Sequence, residues 1–385
     1  MEGAIGGHLA VQSSRPENKK RKTDGSSPSS NPSPYVVLIR MPIFEWDWKV
    51  RRNYDRWYTM KIPADAVDGT EGSISEVWAQ WCLDVKSTFA LVGSDLYCFR
   101  GILFNYTGLV QNKISDVRKV NISNPTDHWI HVPPLDFPRC CAHNLVVGDK
   151  LYVLNKCPFS QCWGAEVYDP MTGVWESLPE PPYRKAYHII SAALENPNRI
   201  LVATLPFLDY ESEDEDEDED KHKDIFANFI MYDVQNCSWK ILGSEPRKIH
   251  PKCPWGEFGK ALAVGNYLYW ILDKANLLAY NFESDLWLTG DLKGLNISTN
   301  KHLDAILPCL IHLEKKRFCV IHTTEIDRYT PESYVQCILF DVFPMPELKS
   351  LRISFVSTIK YKTARTTSVR DAFLMWKISK ICDFS

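Results

Sequence analysis

The chain has 385 residues, 45% of them hydrophobic and 12% aromatic, with 44 Lys and Arg against 48 Asp and Glu. That length allows two or three ordinary domains or one large repeat-built domain. No stretch of about 18 or more apolar residues occurs, which excludes a helical membrane span, and a formal charge of -4 argues against the basic face of a nucleic-acid-binding fold.

The net figure hides two local extremes. Residues 211–220 read ESEDEDEDED, in which Glu211, Glu213, Asp214, Glu215, Asp216, Glu217, Asp218, Glu219 and Asp220 are acidic. Without them the chain has 39 acids against 44 bases. Lys19, Lys20, Arg21 and Lys22 form a basic run, and setting those four aside as well leaves a body that is almost neutral.

Residues 1–34 are rich in Ser, Pro, Asn, Gly and charge, and end in SSPSSNPSP. Such a segment buries too little apolar surface to offset its ordering entropy, so it is expected to be a disordered tail. It lacks the apolar block of a secretory signal, so a nuclear or cytoplasmic location is expected, not secretion, with the 12 cysteines reduced and mostly buried. The run Lys19–Lys22 is a candidate nuclear import signal in an accessible setting.

From Tyr35 the texture changes to short β-rich runs separated by turn signals: YVVLIRM (35–41), NLVVGDKLYVLN (144–155), KALAVGNYLYWIL (260–272) and RFCVIHT (317–323). Gly93-Ser94, Gly148-Asp149 and Gly265-Asn266 each lie between two such runs, which is a hairpin signal. The segments ALVGSDLYCF (90–99), LVVGDKLYVL (145–154) and LAVGNYLYWI (262–271) superpose as one pattern, and ALENPNRILVATL (193–205) supplies a cryptic fourth. Downstream of each hairpin a second pattern recurs, clearest in AEVYDPMTGVWESLPEPPYR (165–184), with Trp129, Trp175, Trp239 and Trp287 as its markers. The long step from Trp175 to Trp239 contains the acidic tract, so residues 209–224 are expected to be a loop insertion within one unit. A further copy, without its Trp, runs over 305–358.

One unit is therefore four short antiparallel strands in roughly 50 residues, the size of a β-propeller blade. Five units fit between about Ser87 and Thr358. YVVLIRM with RWYTMKIP (56–63) at one end, and AFLMWKIS (372–379) at the other, predict a shared sixth blade, because closure removes exposed strand edges. Seven blades is the main alternative, since 69–86 has no assignment. The propeller is expected to span 35–380.

In order, Arg139, His143, Leu145–Gly148, Leu151–Leu154, Val167–Pro170, Trp175 and Leu178-Pro179 resemble the kelch repeat, and Arg184 and His188 open the next unit alike. The resemblance covers about residues 87–358 and is similar to that of plant kelch and F-box/kelch proteins. The double glycine that usually ends the second kelch strand is absent, its places being taken by Arg100-Gly101, Asn155-Lys156 and Asp273-Lys274. An F-box would be a helical segment near the N-terminus; Ile62–Val67 faintly echoes its start, but DGTEGS (68–73) breaks any helix, so none is expected.

The repeated Tyr and Trp positions read as core. His128, His131 and His143 with Cys140 and Cys141 form a local cluster, but no CxxC or HxxxH pair is present, and on a strand His128 and His131 point to opposite faces. No metal, cofactor or catalytic residues are assigned. The kelch resemblance implies a non-enzymatic scaffold or recognition propeller that binds an unknown protein partner through its loops. A ubiquitin-ligase substrate receptor without a recognisable F-box is one alternative; a propeller enzyme of the copper-oxidase type is another, less favoured because no export signal or ligand set stands out. The acidic tract is a candidate loop for basic proteins. No membrane or direct nucleic-acid partner is expected.

Overall fold

A computed structural model describes residues 34–46, 51–81, 87–99, 103–104, 110–112, 116–124, 128–136, 143–154, 165–182, 186–206, 224–254, 260–272, 276–295, 297, 307–324, 333–363 and 369–377. The chain divides into residues 1–32 and 33–385, and the described strands all belong to the second unit.

The chain enters with β1 (Tyr35–Trp46), β2 (Arg51–Ile62), β3 (Thr70–Gly72) and β4 (Ile74–Trp81). Next come β5 (Thr88–Val92), β6 (Asp95–Phe99), β9 (Val117–Asn121) and β10 (Ile130–Val132), with the small pair β7 (Leu103–Phe104) and β8 (Val110–Asn112) between β6 and β9. A third set is β11 (His143–Val147), β12 (Lys150–Leu154), β13 (Glu166–Asp169) and β14 (Val174–Ser177). The fourth is β15 (Ala186–Leu194), β16 (Arg199–Pro206), β17 (Phe226–Asp233) and β18 (Ser238–Lys248). The fifth is β19 (Leu262–Val264), β20 (Tyr267–Ile271), β21 (Asn276–Asn281) and β22 (Leu286–Asp291). The sixth is β23 (Cys309–Glu314), β24 (Arg317–Thr324), β25 (Ser333–Met345) and β26 (Ser350–Thr363), and β27 (Asp371–Lys377) closes the series.

Each set is a four-stranded antiparallel meander, and β27 completes the first one in the order β27-β1-β2-β4. The innermost strands β5, β11, β15, β19, β23 and β27 follow one another, and β27 returns to lie beside β5. The fold is a six-bladed β-propeller whose two chain ends share blade 1, so that blade 1 has its full four strands and the ring closes. The stretch around 69–81, open in the sequence, supplies the outer strand β4 of blade 1 and the short β3, which pairs in parallel with the outer strand of blade 6. That removes the basis for a seventh blade. At this contact Gly72 must lack a side chain, because a Cβ there would overlap the ring of Tyr361. Blades 5 and 6 are also tied at their outer edges, where Thr289 meets Ser350 in parallel.

Six apolar clusters fill the six gaps between neighbouring blades. Strand alternation feeds them. On β20, Leu268 and Trp270 pack toward blade 4, while Tyr269 and Ile271 pack toward blade 6. The repeated tyrosines Tyr97, Tyr152, Tyr168, Tyr232, Tyr269 and Tyr280 are all buried. The tryptophans do something more specific. Trp175, Trp239 and Trp287 are half-buried on the outer strands and stack on Tyr168, Tyr232 and Tyr280 at 4.9, 5.0 and 4.4 Å. Their indole N–H groups donate to the carbonyls of Pro133, Pro179 and Lys248 at 2.7, 2.8 and 3.0 Å. In each case the acceptor follows, or ends, the outer strand of the preceding blade, so the Trp sews one blade to the next. Trp129 departs from this scheme and packs edge-on against Trp78 of β4 at 5.0 Å.

Candidate interaction surface at the propeller mouth

A propeller has two ends, and strand direction assigns every connection to one of them. The turns between first and second strands, and between third and fourth, lie at one end. The links between second and third strands, and from blade to blade, lie at the other, where the innermost strands begin; this second end is called the mouth. Most of the first class is short: Gly93-Ser94, Gly148-Asp149, Gly265-Asn266 and Lys315-Lys316 join paired strands directly. The link from β16 to β17 belongs to the second class, because those strands are hydrogen-bonded neighbours and the end of β16, Pro206, pairs with Ala186 at the start of β15. Glu211–Asp220 themselves, and Lys19–Lys22, lie outside the described residues.

Strand register picks out a ring of equivalent positions at the mouth. Thr88 pairs with Phe99, His143 with Leu154, Ile190 with Ala203, Cys309 with Ile321 and Asp371 with Arg40. Lys260 takes the same place in blade 5, two residues before Leu262, which pairs with Tyr269 as Leu145 pairs with Tyr152. The six positions therefore hold Thr, His, Ile, Lys, Cys and Asp.

Several of these groups are tied to one another across blade boundaries. Asn144 Nδ2 donates to Thr88 Oγ1 at 2.7 Å, joining blade 3 to blade 2. His143 Nδ1 and Ser191 Oγ share a hydrogen bond of 2.6 Å, both buried, joining blade 3 to blade 4. Ser191 then accepts the amide of Ala261 at 2.9 Å and bridges Lys260 in parallel, which fixes the start of blade 5. In blade 1 the buried Arg40 donates Nε to Asp371 at 2.7 Å, reaches Asp55 at 3.4 Å and lies over the Phe89 ring at 4.5 Å. A buried guanidinium needs such pairing to offset its desolvation.

Two cations at the mouth stand apart from this network. Lys260 and Arg370 are both exposed, and neither makes an ion pair with a described residue. The surrounding protein desolvates the Lys260 ammonium and lowers its pKa, while the carboxylate of Asp371 acts the other way. Arg370 is lowered by desolvation and by the neighbouring Arg40 cation, again with Asp371 opposing. Asp371 thus reaches both, although blades 5 and 1 are separated by blade 6. Cys309, beside them, has its thiol pKa raised, by burial first and then by Asp371.

None of Arg40, Lys260, Arg370 and Asp371 is visible as a motif in the sequence. The signal that finds them is positional: Thr88, His143 and Lys260 each stand five residues before a hairpin glycine, Gly93, Gly148 or Gly265. The sequence equivalence of His143 and His188 does not carry over into register, because a bulge in β15 puts Ile190 opposite Ala203 at the place His143 holds in blade 3. For the local His and Cys cluster the outcome is different. His128 precedes β10 instead of lying on a strand, so the opposite-face argument does not apply to it. His131 Nδ1 contacts Asp116 Oδ1 at 3.1 Å, His143 is engaged with Ser191, and Cys140 and Cys141 lie outside the described residues.

Fold and repeat together define a six-bladed kelch-like propeller. No family model matches the chain. It is similar to two F-box/kelch-repeat proteins of Arabidopsis thaliana. One is 30% identical over 95 residues, 24% of this chain and 23% of the relative; the other is 24% identical over 168 residues, 40% and 36% respectively. The matches thus span about a quarter to a third of the relatives' own length. The solved structure of YjhT aligns over 82% of this chain and 97% of its own, at 13% identity and a TM-score of 0.40. Among the described residues no helix is long and apolar enough to cross a membrane.

Proposed function

We propose that this chain is a non-enzymatic recognition propeller that binds a protein partner at its mouth end. The observation that carries the reading is the division of labour between the two ends. Most links at one end are tight and repeat related chemistry, the β2–β4 link of blade 1 being the long exception, whereas the mouth changes residue type from blade to blade and carries the blade-to-blade connections. Loops on a rigid scaffold are where recognition is usually built. The scaffold is rigid in a stated sense, with six filled interfaces and a hydrogen-bonded inner ring.

The test compares affinity capture by the wild-type chain with two double variants. Lys252→Glu with Lys293→Glu changes exposed residues at the mouth end, and Met171→Ser with Leu348→Ser changes exposed residues in opposite-end turns. The expected result is loss of the same set of captured proteins from the mouth variant alone. Equal loss from both, or loss from the turn variant alone, rejects the reading.

A second reading is that the propeller is the substrate receptor of a ubiquitin ligase, favoured by the names of the two Arabidopsis thaliana relatives, which couple kelch repeats to an F-box in those proteins. Recovery of cullin-type subunits with the captured protein would support it, and their repeated absence would count against it. Within the first reading, residues 1–34 form a tail that carries the import run Lys19–Lys22, residues 35–380 form the propeller, and 209–224 form an acidic insertion that attracts basic proteins. Substituting Lys19–Lys22 by alanine is expected to reduce the nuclear fraction of a tagged chain; an unchanged distribution removes that role.

A further inference from the structure

The six blade boundaries are not tied equally. Blades 2 and 3 are joined by the Asn144–Thr88 hydrogen bond, by the Trp175 indole on Pro133, and by the amide of Asp136, which donates to the Glu166 carboxylate at 2.9 Å. Blades 3 and 4 share the His143–Ser191 bond and the Trp239 indole on Pro179. Blades 4 and 5 share the Ala261 amide on the Ser191 carbonyl, the Trp287 indole on Lys248, and Arg247, which donates to the Tyr280 hydroxyl and the Phe282 carbonyl. Blades 5 and 6, and blades 6 and 1, are fused at the outer rim by the parallel pairings Thr289–Ser350 and β26–β3. Two further bonds reinforce the second of these, from the Tyr361 hydroxyl to the Lys61 carbonyl at 2.7 Å and from the Thr358 amide to Asp68 at 3.0 Å.

The boundary between blades 1 and 2 is different. Trp129 is the repeat counterpart of Trp175, Trp239 and Trp287, but it meets Trp78 edge-on and its buried N–H reaches no acceptor. The N–H of Trp57, buried in the same gap, has no acceptor either. An indole donor taken out of water without a partner is a cost that a closed seam carries and an open one does not. Two other boundaries also hold an orphan, the Tyr97 hydroxyl between blades 2 and 3 and the Trp270 indole between blades 4 and 5. Each of those stands beside the cross-boundary hydrogen bonds just named. Among the described residues the apolar core of the blade 1–2 gap is also the smallest of the six, seven buried residues against nine to 17. What spans the gap near the mouth is the Arg40 guanidinium over the Phe89 ring at 4.5 Å, a contact without a hydrogen bond.

We propose that the boundary between blades 1 and 2 is a seam at which the closed ring opens, so that the mouth changes width between Asp371 of blade 1 and Thr88 of blade 2. The joining of the chain ends lies elsewhere, inside blade 1 and at the 6–1 boundary, where β27 and β3 lock it. Opening at the seam breaks no strand pairing among the described residues. It separates two apolar faces and hydrates two indole donors. Local openings of this kind are drawn from the region with the fewest buried contacts and polar ties. The seam follows from the fold alone and does not depend on what the mouth binds.

The chain supplies its own reporters. Cys98 is buried in the blade 1–2 gap, Cys253 in the 4–5 gap, and Cys319 and Cys337 in the 6–1 gap. The full-length protein is incubated with iodoacetamide under native conditions. Each thiol's labelling rate is measured by mass spectrometry and divided by its rate in the urea-unfolded chain. On this scale Cys98 is expected to label at least about tenfold faster than the other three. Its rate should rise with low urea, but less steeply than global unfolding does, because only one gap is exposed. Equal or slower labelling of Cys98 overturns the proposal. A fast rate that ignores urea overturns it too, by showing that the reagent permeates a closed seam, as does a urea slope equal to that of global unfolding. Trp129→Phe gives a second measurement. It removes an orphan donor, so its denaturation midpoint is expected to be unchanged or raised, where Trp175→Phe lowers it. A loss as large as that of Trp175→Phe would show that Trp129 ties the boundary, and the seam would fall.

Discussion

The two ends of the propeller solve different problems. At the turn end the same solution is repeated. Gly93, Gly148 and Gly265 take φ of 56–59° at the first position of a two-residue turn, where the left-handed backbone matches the twist of the strands. Asn121, Asp169, Asp233 and Asn281 end the third strands, and each accepts amides from the turn that follows through its own side chain. Blades 2, 3 and 5 share the glycine turn and blades 2 to 5 share the Asn or Asp at the end of the third strand, because each reverses direction there by the same local chemistry. At the mouth the six register-equivalent positions are Thr, His, Ile, Lys, Cys and Asp, so the residue type changes from blade to blade. Sameness from blade to blade marks what folding demands. Variation at a fixed position marks what folding leaves free.

The frame common to both ends is the place for the largest effect. Tyr280 is fully buried between blades 4 and 5, stacks on Trp287, accepts from Arg247 Nη1 at 3.0 Å and donates to Asp285 at 2.8 Å. Tyr280→Ala empties that site and is expected to cost about 3–5 kcal/mol in chemical denaturation, with partner capture lost along with stability. A cost below about 1 kcal/mol would mean that the blade 4–5 interface collapses around the gap.

Gly265→Val separates the ends more cleanly. Nothing lies within 4 Å of a Cβ placed at Gly265, so the penalty is purely that of holding φ near 58° with a branched side chain. The expected loss is about 1–2 kcal/mol in stability, with partner capture at the mouth end unchanged. Altered capture would show that the two ends are coupled through the blade.

Trp175→Phe sharpens the contrast from the outer rim. It keeps a ring against Tyr168 but removes the N–H that donates to Pro133. The expected loss is about 1 kcal/mol, read as a shift of the denaturation midpoint, and the same substitution at Trp239 or Trp287 should cost a similar amount because the acceptor geometry recurs.

Much of this frame was legible in the sequence because repetition amplifies weak signals. One Tyr or one hairpin glycine says little, but Tyr97, Tyr152 and Tyr269 in the same local pattern specify a blade. The split blade followed from the same logic, since YVVLIRM and AFLMWKIS each lack the partners that the other supplies. The segment 69–86 was opaque for the converse reason: β3 and β4 carry no repeat marker, and β3 is placed by tertiary pairing with β26. The Trp indoles were legible as packing but not as donors, because their acceptors are carbonyls 39–60 residues away. The mouth was least legible of all. Its six positions share a register and no residue type, so it emerges only once the strands are paired.

The smallest expected effect concerns Lys260. Desolvation by the surrounding protein holds its ammonium below the usual lysine value of 10.5, with Asp371 opposing. Below the lowered value, both the folded and unfolded chains are protonated at this site and the whole penalty of the charged form is present. Between that value and 10.5 the unfolded chain binds more protons than the folded one, so stability from this group rises with pH. Tyr269 and Tyr280, whose pKa values burial raises, pull the other way at high pH, but equally in wild type and variant. Lys260→Gln is therefore expected to be at least as stable as wild type near neutral pH. Its advantage should narrow as urea midpoints are measured upward toward about pH 10. Parallel curves for the two proteins would mean that water reaches the ammonium freely, and that the two ends of the propeller do not differ in how they solvate their cations.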